Sequence, residues 1–430
     1  MELAVRAKSG YNKFLVVWFG EFIASIGSGI SSFGLGVFVF QMTNRATDVS
    51  MVTLCAFLPA VLLSPIAGVF VDRFDRKLMM ILGDSLSAIG LAAMLLIMQF
   101  GTIEVWHICL CVALSSVFVS LLDPAYRSMI TDMLDKDEYS KASGMVQLAS
   151  SAKYLISPVI AGFLLGFSDI RLLLAIDIAT LLVTVCAVAS VRKSETARPK
   201  KASGRKFSKD FIDGCAYMVS NKGIMALMLL ISVITFYMGT LQTLFTPMIL
   251  SFSDSKTLGV IESVGASGML ASSLLLGIFS IRKNYVNWIM ASLALAGVFV
   301  SLAGATTSVT MIAIIAFLFF MMLPFVNTSI EVMMRRTIPN ETQGRIWGLM
   351  SLLSQIGYIV AYAISGLLAD YVFNPMLKDG GSLAASVGRI IGTGPARGIG
   401  LQLVISGACM VVYAVVIRKV KSIRNLEKSL

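Results

Sequence analysis

The chain has 430 residues, 57% of them hydrophobic and only 14% charged, and it carries a formal net charge of +11. Soluble domains hold roughly a quarter of their residues as charged ones, so this composition excludes a water-soluble fold. The apolar residues form long unbroken runs rather than short alternating segments, which also excludes a transmembrane barrel.

In chain order the runs lie at roughly 14–40, 51–71, 78–100, 105–122, 142–167 and 172–191, then at 224–250, 258–281, 286–305, 309–330, 346–373 and 399–417. About 20 apolar residues carry a helix across the hydrocarbon core, and backbone groups in lipid must pair within the span itself. The fold expected is an all-α membrane protein with twelve transmembrane helices in two six-helix halves. The first run is too long for a secretory signal peptide and lacks a small-residue cleavage site, so it is expected to be retained.

Orientation follows from Lys and Arg, which stay on the cytoplasmic side. Placing the N-terminus inside puts most of the 35 basic residues in cytoplasmic segments. The positive charge is thereby spread over loops that face anionic lipid, and no nucleic-acid partner is implied. A bacterial inner-membrane protein with both termini in the cytoplasm is the expectation.

Between the sixth and seventh runs, residues 192–222 form a basic, polar linker. Phe207, Phe211, Cys215 and Met218 recur within it at helical intervals, as in a short amphipathic helix lying on the bilayer surface. The domain organisation read from this pattern is 1–191, a six-helix bundle; 192–222, the linker; and 223–430, a second six-helix bundle. The halves echo each other at a spacing of about 209 residues: Gly68-Val69-Phe70-Val71-Asp72-Arg73 follows the second run and Gly277-Ile278-Phe279-Ser280-Ile281-Arg282 the eighth. Internal repeats of this kind underlie alternating access in transporters.

The passage Gly68-Val69-Phe70-Val71-Asp72-Arg73-Phe74-Asp75-Arg76-Lys77 resembles the glycine, aspartate–arginine, arginine–lysine signature of the major facilitator superfamily. Its short turn forces the second and third helices antiparallel. Gly68 is expected to admit a close neighbouring helix, and Asp72 to cap the third helix or pair with an Arg across the domain interface. The resemblance makes Gly68, Asp72, Arg73, Arg76 and Lys77 a conformational-switch loop; without it, the same residues read as a basic topogenic turn.

Over nearly its whole length the chain is similar to the macrolide-efflux-like exporters of that superfamily. The likeness rests on Asp123-Pro124-Ala125, on Pro339-Asn340-Glu341-Thr342-Gln343-Gly344-Arg345, on the stretch 364–375 and on the ending 422–427. It implies proton-coupled efflux of a hydrophobic antibiotic or similar amphiphile by alternating access, with a siderophore exporter, a lysolipid exporter or a non-transporting membrane sensor as alternatives. One departure is that the fourth run has no Arg where many proton-coupled drug antiporters carry one. Proton coupling therefore rests on the resemblance.

Charges within the runs are expensive, about 2.5–3.5 kcal/mol each at a helix centre. Glu21 and Lys153 fall in the first and fifth helices, which border the central cavity in the fold that the resemblance implies. They are the candidate coupling pair, Glu21 taking a proton or a cationic group and Lys153 setting its affinity; the alternative is a purely structural ion pair. Asp84 and Asp177 are read as structural contacts of peripheral helices, Glu262 and Glu331 as solvated residues near helix ends, and His107 beside Trp106 as part of an interfacial belt. For the second half of the cavity the candidates are Tyr237, Gln242, Asn327, Gln355, Tyr358 and Tyr362; Gln355, Tyr358 and Tyr362 share one helical face.

Pro59, Pro65, Pro158, Pro247 and Pro324 are candidate bends. The six cysteines fit no metal-ligand spacing, and neither a disulfide nor a metal is assigned. The chain has no phosphate-cradling glycine loop with its lysine, hence no ATP engine, and no nucleophile–base constellation, so it is not expected to be an enzyme. A lipophilic small molecule, protons and the lipid bilayer are the expected partners, the proton gradient is the energy source, and a monomer is the expected state.

Overall fold

The computed structural model describes residues 2–193, 221–279, 281, 283–338, 343–394 and 396–428. Most of the linker, part of the 277–282 echo and residues 339–342 lie outside them. Among the described residues every regular element is helical. The chain divides into two units, residues 1–43 with 51–203, and residues 44–50 with 204–430.

In the first unit, α1 (Glu2–Thr43) begins about a dozen residues before the apolar run, which puts Glu21 near the middle of the helix. α2 (Ala46–Arg73) runs through Pro59 and Pro65 as one helix, and α3 (Arg76–Phe100) follows after two residues. α4 (Val105–Val119) and α5 (Leu122–Met133) make one span joined by a turn at Ser120. The fifth span is split at Ile156 into α6 (Tyr139–Leu155) and α7 (Ser157–Leu164), with Pro158 in the first turn of the second piece. Proline lacks the N–H that would continue the ladder. α8 (Ile170–Lys193) completes the unit.

The second unit holds α9 (Lys222–Leu250), α10 (Ser255–Ile278), α11 (Tyr285–Ala305), α12 (Val309–Thr337) and α13 (Gln343–Leu368). α9 and α12 continue through Pro247 and Pro324, so among these prolines the helix is interrupted only beside Pro158. Asp254 caps α10 by accepting from Thr257 N at 2.8 Å, and hydrogen bonding from Thr257 holds its carboxyl below the usual range. This early start puts Glu262 two turns inside the helix, half-buried, rather than near its end.

Segment 374–398, whose length and whose Gly380-Gly381 and Gly392-Thr393-Gly394-Pro395 passages predict a long outer loop, is largely folded. A π turn (Ala369–Phe373) leads into α14 (Asn374–Leu377), and α15 (Gly388–Ile391) follows. Leu377 and Ile391 pack with Leu401 into a small core of their own. α16 (Arg397–Lys419) is the last span and α17 (Lys421–Lys428) an amphipathic terminal helix. Ile423 and Leu426 of α17 are buried, Leu426 against Gly223 at the start of α9, and Glu427 Oε1 accepts from Val286 N in α11 at 3.1 Å.

Eleven helices among the described residues are long and apolar enough to span a bilayer, and the broken α6–α7 pair supplies the twelfth. The pseudo-repeat shows in the pairing. In the first unit α1 packs on α6 and α7, and α3 on α4 and α8; in the second α9 packs on α13, and α11 on α12 and α16. Span for span, these are equivalent partners.

Glycine spacing decides how closely the helices approach. Gly20, Gly27 and Gly34 lie seven residues apart along α1, and a Cβ at any of them would press on α8 at Thr184, Thr180 or Leu173. Gly297 and Gly304 of α11 face Gly407 and Gly400 of α16 with the same seven-residue step, backbone against backbone. Small residues repeated in register give lipid-embedded helices the contact that apolar burial supplies in water. Gly27→Ala is expected to overpack this seam and destabilise the protein by about 1–3 kcal/mol, while Gly68→Ala, where an added Cβ meets nothing within 4 Å, stays within about 1 kcal/mol. Thermal unfolding of the two detergent-purified variants checks the contrast, and equal melting temperatures would contradict it.

Candidate functional site

The loop between α2 and α3 is fastened within its own unit. Asp75, immediately before α3, accepts from Lys77 N at 2.9 Å and Leu78 N at 3.4 Å, and its other oxygen takes Arg192 of α8 at 2.9 Å. Arg76 donates to Ser128 O at 2.8 Å and to Asp132, both on α5. Lys77 is buried and Arg73 exposed. Two expectations change. Asp75 rather than Asp72 caps α3, because α2 runs on to Arg73 and leaves Asp72 inside its last turn; the Asp72 side chain lies outside the described residues. Gly68 also has no close neighbour, so close helix approach does not account for it.

In the same unit Glu21 of α1 is half-buried, with Oε1 buried and unpartnered. The acidic group within range of Lys153 is Asp177 of α8. The Lys153 stem lies against Gly29 of α1, and Ser31 of α1 donates to Asp177. His107 accepts from Glu104 N through Nδ1 at 3.1 Å, stacks on Trp106 and so closes the cap at the start of α4.

In the second unit Gln242 of α9 and Tyr362 of α13 meet directly, the phenol donating to Gln242 Oε1 at 2.5 Å. Tyr358 is tilted against Tyr362 with ring centres 5.8 Å apart and rests on Gly239 of α9. Tyr237 packs edge-on to Phe236, Gln355 is half-buried, and Asn327 is exposed on α12. Beside this cluster runs a polar layer that the sequence reading missed: Ser365 Oγ donates to Thr240 Oγ1 at 3.0 Å, and buried Gln402 donates to Ser365 O at 3.1 Å. Gln402 within an otherwise apolar run was the available signal.

Asp370 is another missed residue. It accepts from Ala46 N at 3.3 Å, Thr47 N at 2.8 Å and Thr47 Oγ1 at 2.7 Å, and thus serves as the N-terminal cap of α2, whose first turn belongs to the second unit.

Residues 17–371 match the model of the Major Facilitator Superfamily. The chain belongs to the major facilitator superfamily. Its relatives include Macrolide efflux protein A of Streptococcus pyogenes, 23% identical over 419 residues, which are 96% of this chain and 97% of that protein. Macrolide efflux protein A of Enterococcus faecalis is 25% identical over 313 residues, 71% of this chain and 97% of that one. Among solved structures, the inward-facing bacterial homologue of the iron transporter ferroportin superposes with a TM-score of 0.72 over 97% of this chain and 99% of that one, at 13% identity; this likeness concerns the fold alone. The major facilitator assignment makes the protein a multi-pass membrane transporter and not an enzyme.

In this major facilitator protein the Gln242–Tyr362 bond should be measurable as a coupling. Comparing Tyr362→Phe, Gln242→Leu and the double variant in detergent-titrated unfolding is expected to give an interaction of about 1 kcal/mol. Strict additivity would show that the bond contributes nothing.

Proposed function

We propose that the protein is a proton-driven exporter of a small lipophilic molecule of the macrolide kind, working by alternating access in a bacterial inner membrane with both termini in the cytoplasm. The observation that carries this reading is the similarity to two proteins named for macrolide efflux, over 96% of this chain in one case and 71% in the other, together with the half-buried Glu21 in the first span, whose Oε1 is buried without a partner. A carboxyl at such depth is costly unless it performs a task, and a proton is the smallest cargo that discharges it. Gln242 and Tyr358, backed by the buried Tyr362, supply an amphipathic face suited to a bulky molecule with few polar groups. The α2–α3 loop, tied down through Asp75 and Arg76, is the element whose re-pairing accompanies the change of state.

The energetics suffice. One charge crossing 100 mV is worth about 2.3 kcal/mol, equivalent to roughly 50-fold accumulation. In everted vesicles from a pump-deficient bacterium, an imposed inside-acid gradient is expected to drive a radiolabelled macrolide inward up to that ratio, with collapse when the gradient is dissipated. Glu21→Gln is expected to bring the ratio to about 1 while leaving macrolide binding to the purified protein in place. Gradient-dependent transport undiminished in Glu21→Gln would remove Glu21 from the coupling. Movement of lysophospholipid in place of macrolide would redirect the substrate class.

A further inference from the structure

The terminal helix α17 touches α9, α11, α12 and α16, and so lies across one end of the second unit. Its apolar side faces inward: Ile423 and Leu426 are buried, Leu426 against Gly223 at the start of α9. Its one carboxylate is engaged there too, since Glu427 accepts from Val286 N at 3.1 Å. What α17 presents outward is basic. Lys421 and Arg424 lie about one helical turn apart and are both exposed, and Arg418 and Lys419, exposed in the last turn of α16, directly precede them.

The neighbouring helix ends extend this surface from distant parts of the sequence. Exposed Lys222 adjoins Gly223, and exposed Lys283 comes three residues before the amide that Glu427 holds. Arg336, exposed at the end of α12, lies over the Tyr285 ring at 5.7 Å from its centre. Arg335 is neutralised by Glu331 at 2.6 Å, but among the described residues no carboxylate is within ion-pair distance of the other seven basic groups. In the first unit Arg76, Arg127 and Arg192 are each answered from within, by Asp132, Asp123 and Asp75. An excess of Lys and Arg at span ends is general; here the charges also converge around one docked helix and repel one another without an internal counter-charge.

Apolar side chains border the same surface. Trp288, one turn into α11, is 42% exposed and stacks on Phe325 with ring centres 5.5 Å apart. Val415 and Val416, just before Arg418, are each 48% exposed. Tryptophan at the edge of a span sits at headgroup level, so an occupant meets cations on one side and lipid-facing apolar surface on the other. A soluble anion satisfies only the first. A phospholipid with an anionic headgroup satisfies both, and groups of about four to eight Lys and Arg beside a span attract such lipids.

We propose that the α17 end of the second unit is a binding surface for anionic phospholipid, its headgroup held by Arg418, Lys419, Lys421 and Arg424 and its chains lying along the apolar flanks of α11 and α16. The surface exists only while α17 is docked, so the lipid stabilises that state. None of this depends on what the protein exports.

The test is thermal unfolding of the full-length protein in a neutral detergent, titrated with dioleoylphosphatidylglycerol, with dioleoylphosphatidylcholine or with inorganic phosphate. Phosphatidylglycerol is expected to raise the melting temperature saturably, and the other two to leave it unchanged at the same concentrations. Replacing two cations of the surface, Lys421→Gln with Arg424→Gln, is expected to raise the half-saturating concentration roughly 30-fold. Replacing two exposed cations at the opposite end of α16, Lys378→Gln with Arg389→Gln, is expected to change it less than about twofold, because distant exposed charges are screened. Equal weakening in the two double variants would reduce the effect to net charge and overturn the site. An equal response to phosphatidylcholine or to inorganic phosphate would overturn the anionic-lipid occupant. Should the first double variant not fold, Arg418→Gln with Lys419→Gln carries the same expectation.

Discussion

Lipid tails are as apolar as leucine, so burying apolar surface between spans gains little, and helix association depends on how closely backbones can approach. That constraint organises this protein. The seven-residue glycine step of α1 against α8, and the matched step of α11 against α16, produce contacts in which a single added methyl group meets backbone or a neighbouring β-branched residue. Hydroxyl groups then bond across the seams, as Ser301 does to Val404 O at 3.0 Å and Thr235 to Ser354 O at 2.6 Å. Each unit is held by geometry and by these bonds, and side chains that the hydrocarbon would otherwise reject are enclosed as a consequence.

The buried polar groups of the two units differ in kind. In the second unit several neutral polar side chains find one another, Tyr362 with Gln242, Ser365 with Thr240, and Gln402 with Ser365 O, while Ser263, Ser329, Asn374 and Gln402 each keep one buried atom without a partner. In the first unit the carboxyls are left with open valences, although Ser31 and Lys153 are at hand for one of them. A neutral hydrogen-bonded layer suits adaptable recognition of a ligand with few polar atoms, whereas a surplus of acids suits the binding of small cations. The two units, built on one repeated pairing scheme, have been given different chemistry.

Much of the architecture was legible in the sequence because hydrocarbon permits so few solutions: run length fixed the spans, and the proline in the fifth run marked a real interruption. The Tyr358–Tyr362 face was readable from helical spacing. Capping was not, since Asp72 and Asp75 compete for the same role and only the last turn of α2 decides between them. Gly68 shows the limit of residue type as a guide, because a glycine in a helix signals contact only if a neighbour is there. Segment 374–398 read as a loop because its helices are each four residues long, too short to leave a periodic signal.

The terminal helix α17 has a mechanical consequence. Leu426 fills the space over Gly223, whose backbone is already fixed by the Asn221 cap, while Glu427 holds the amide of Val286. The ends of α9, α11 and α16 thereby meet at α17, α9 by an apolar contact, α11 by a polar one and α16 through the chain itself. A hinge cannot sit at that joint: whatever bending the second unit undergoes must be taken up farther along these helices, and their clamped ends travel as one piece.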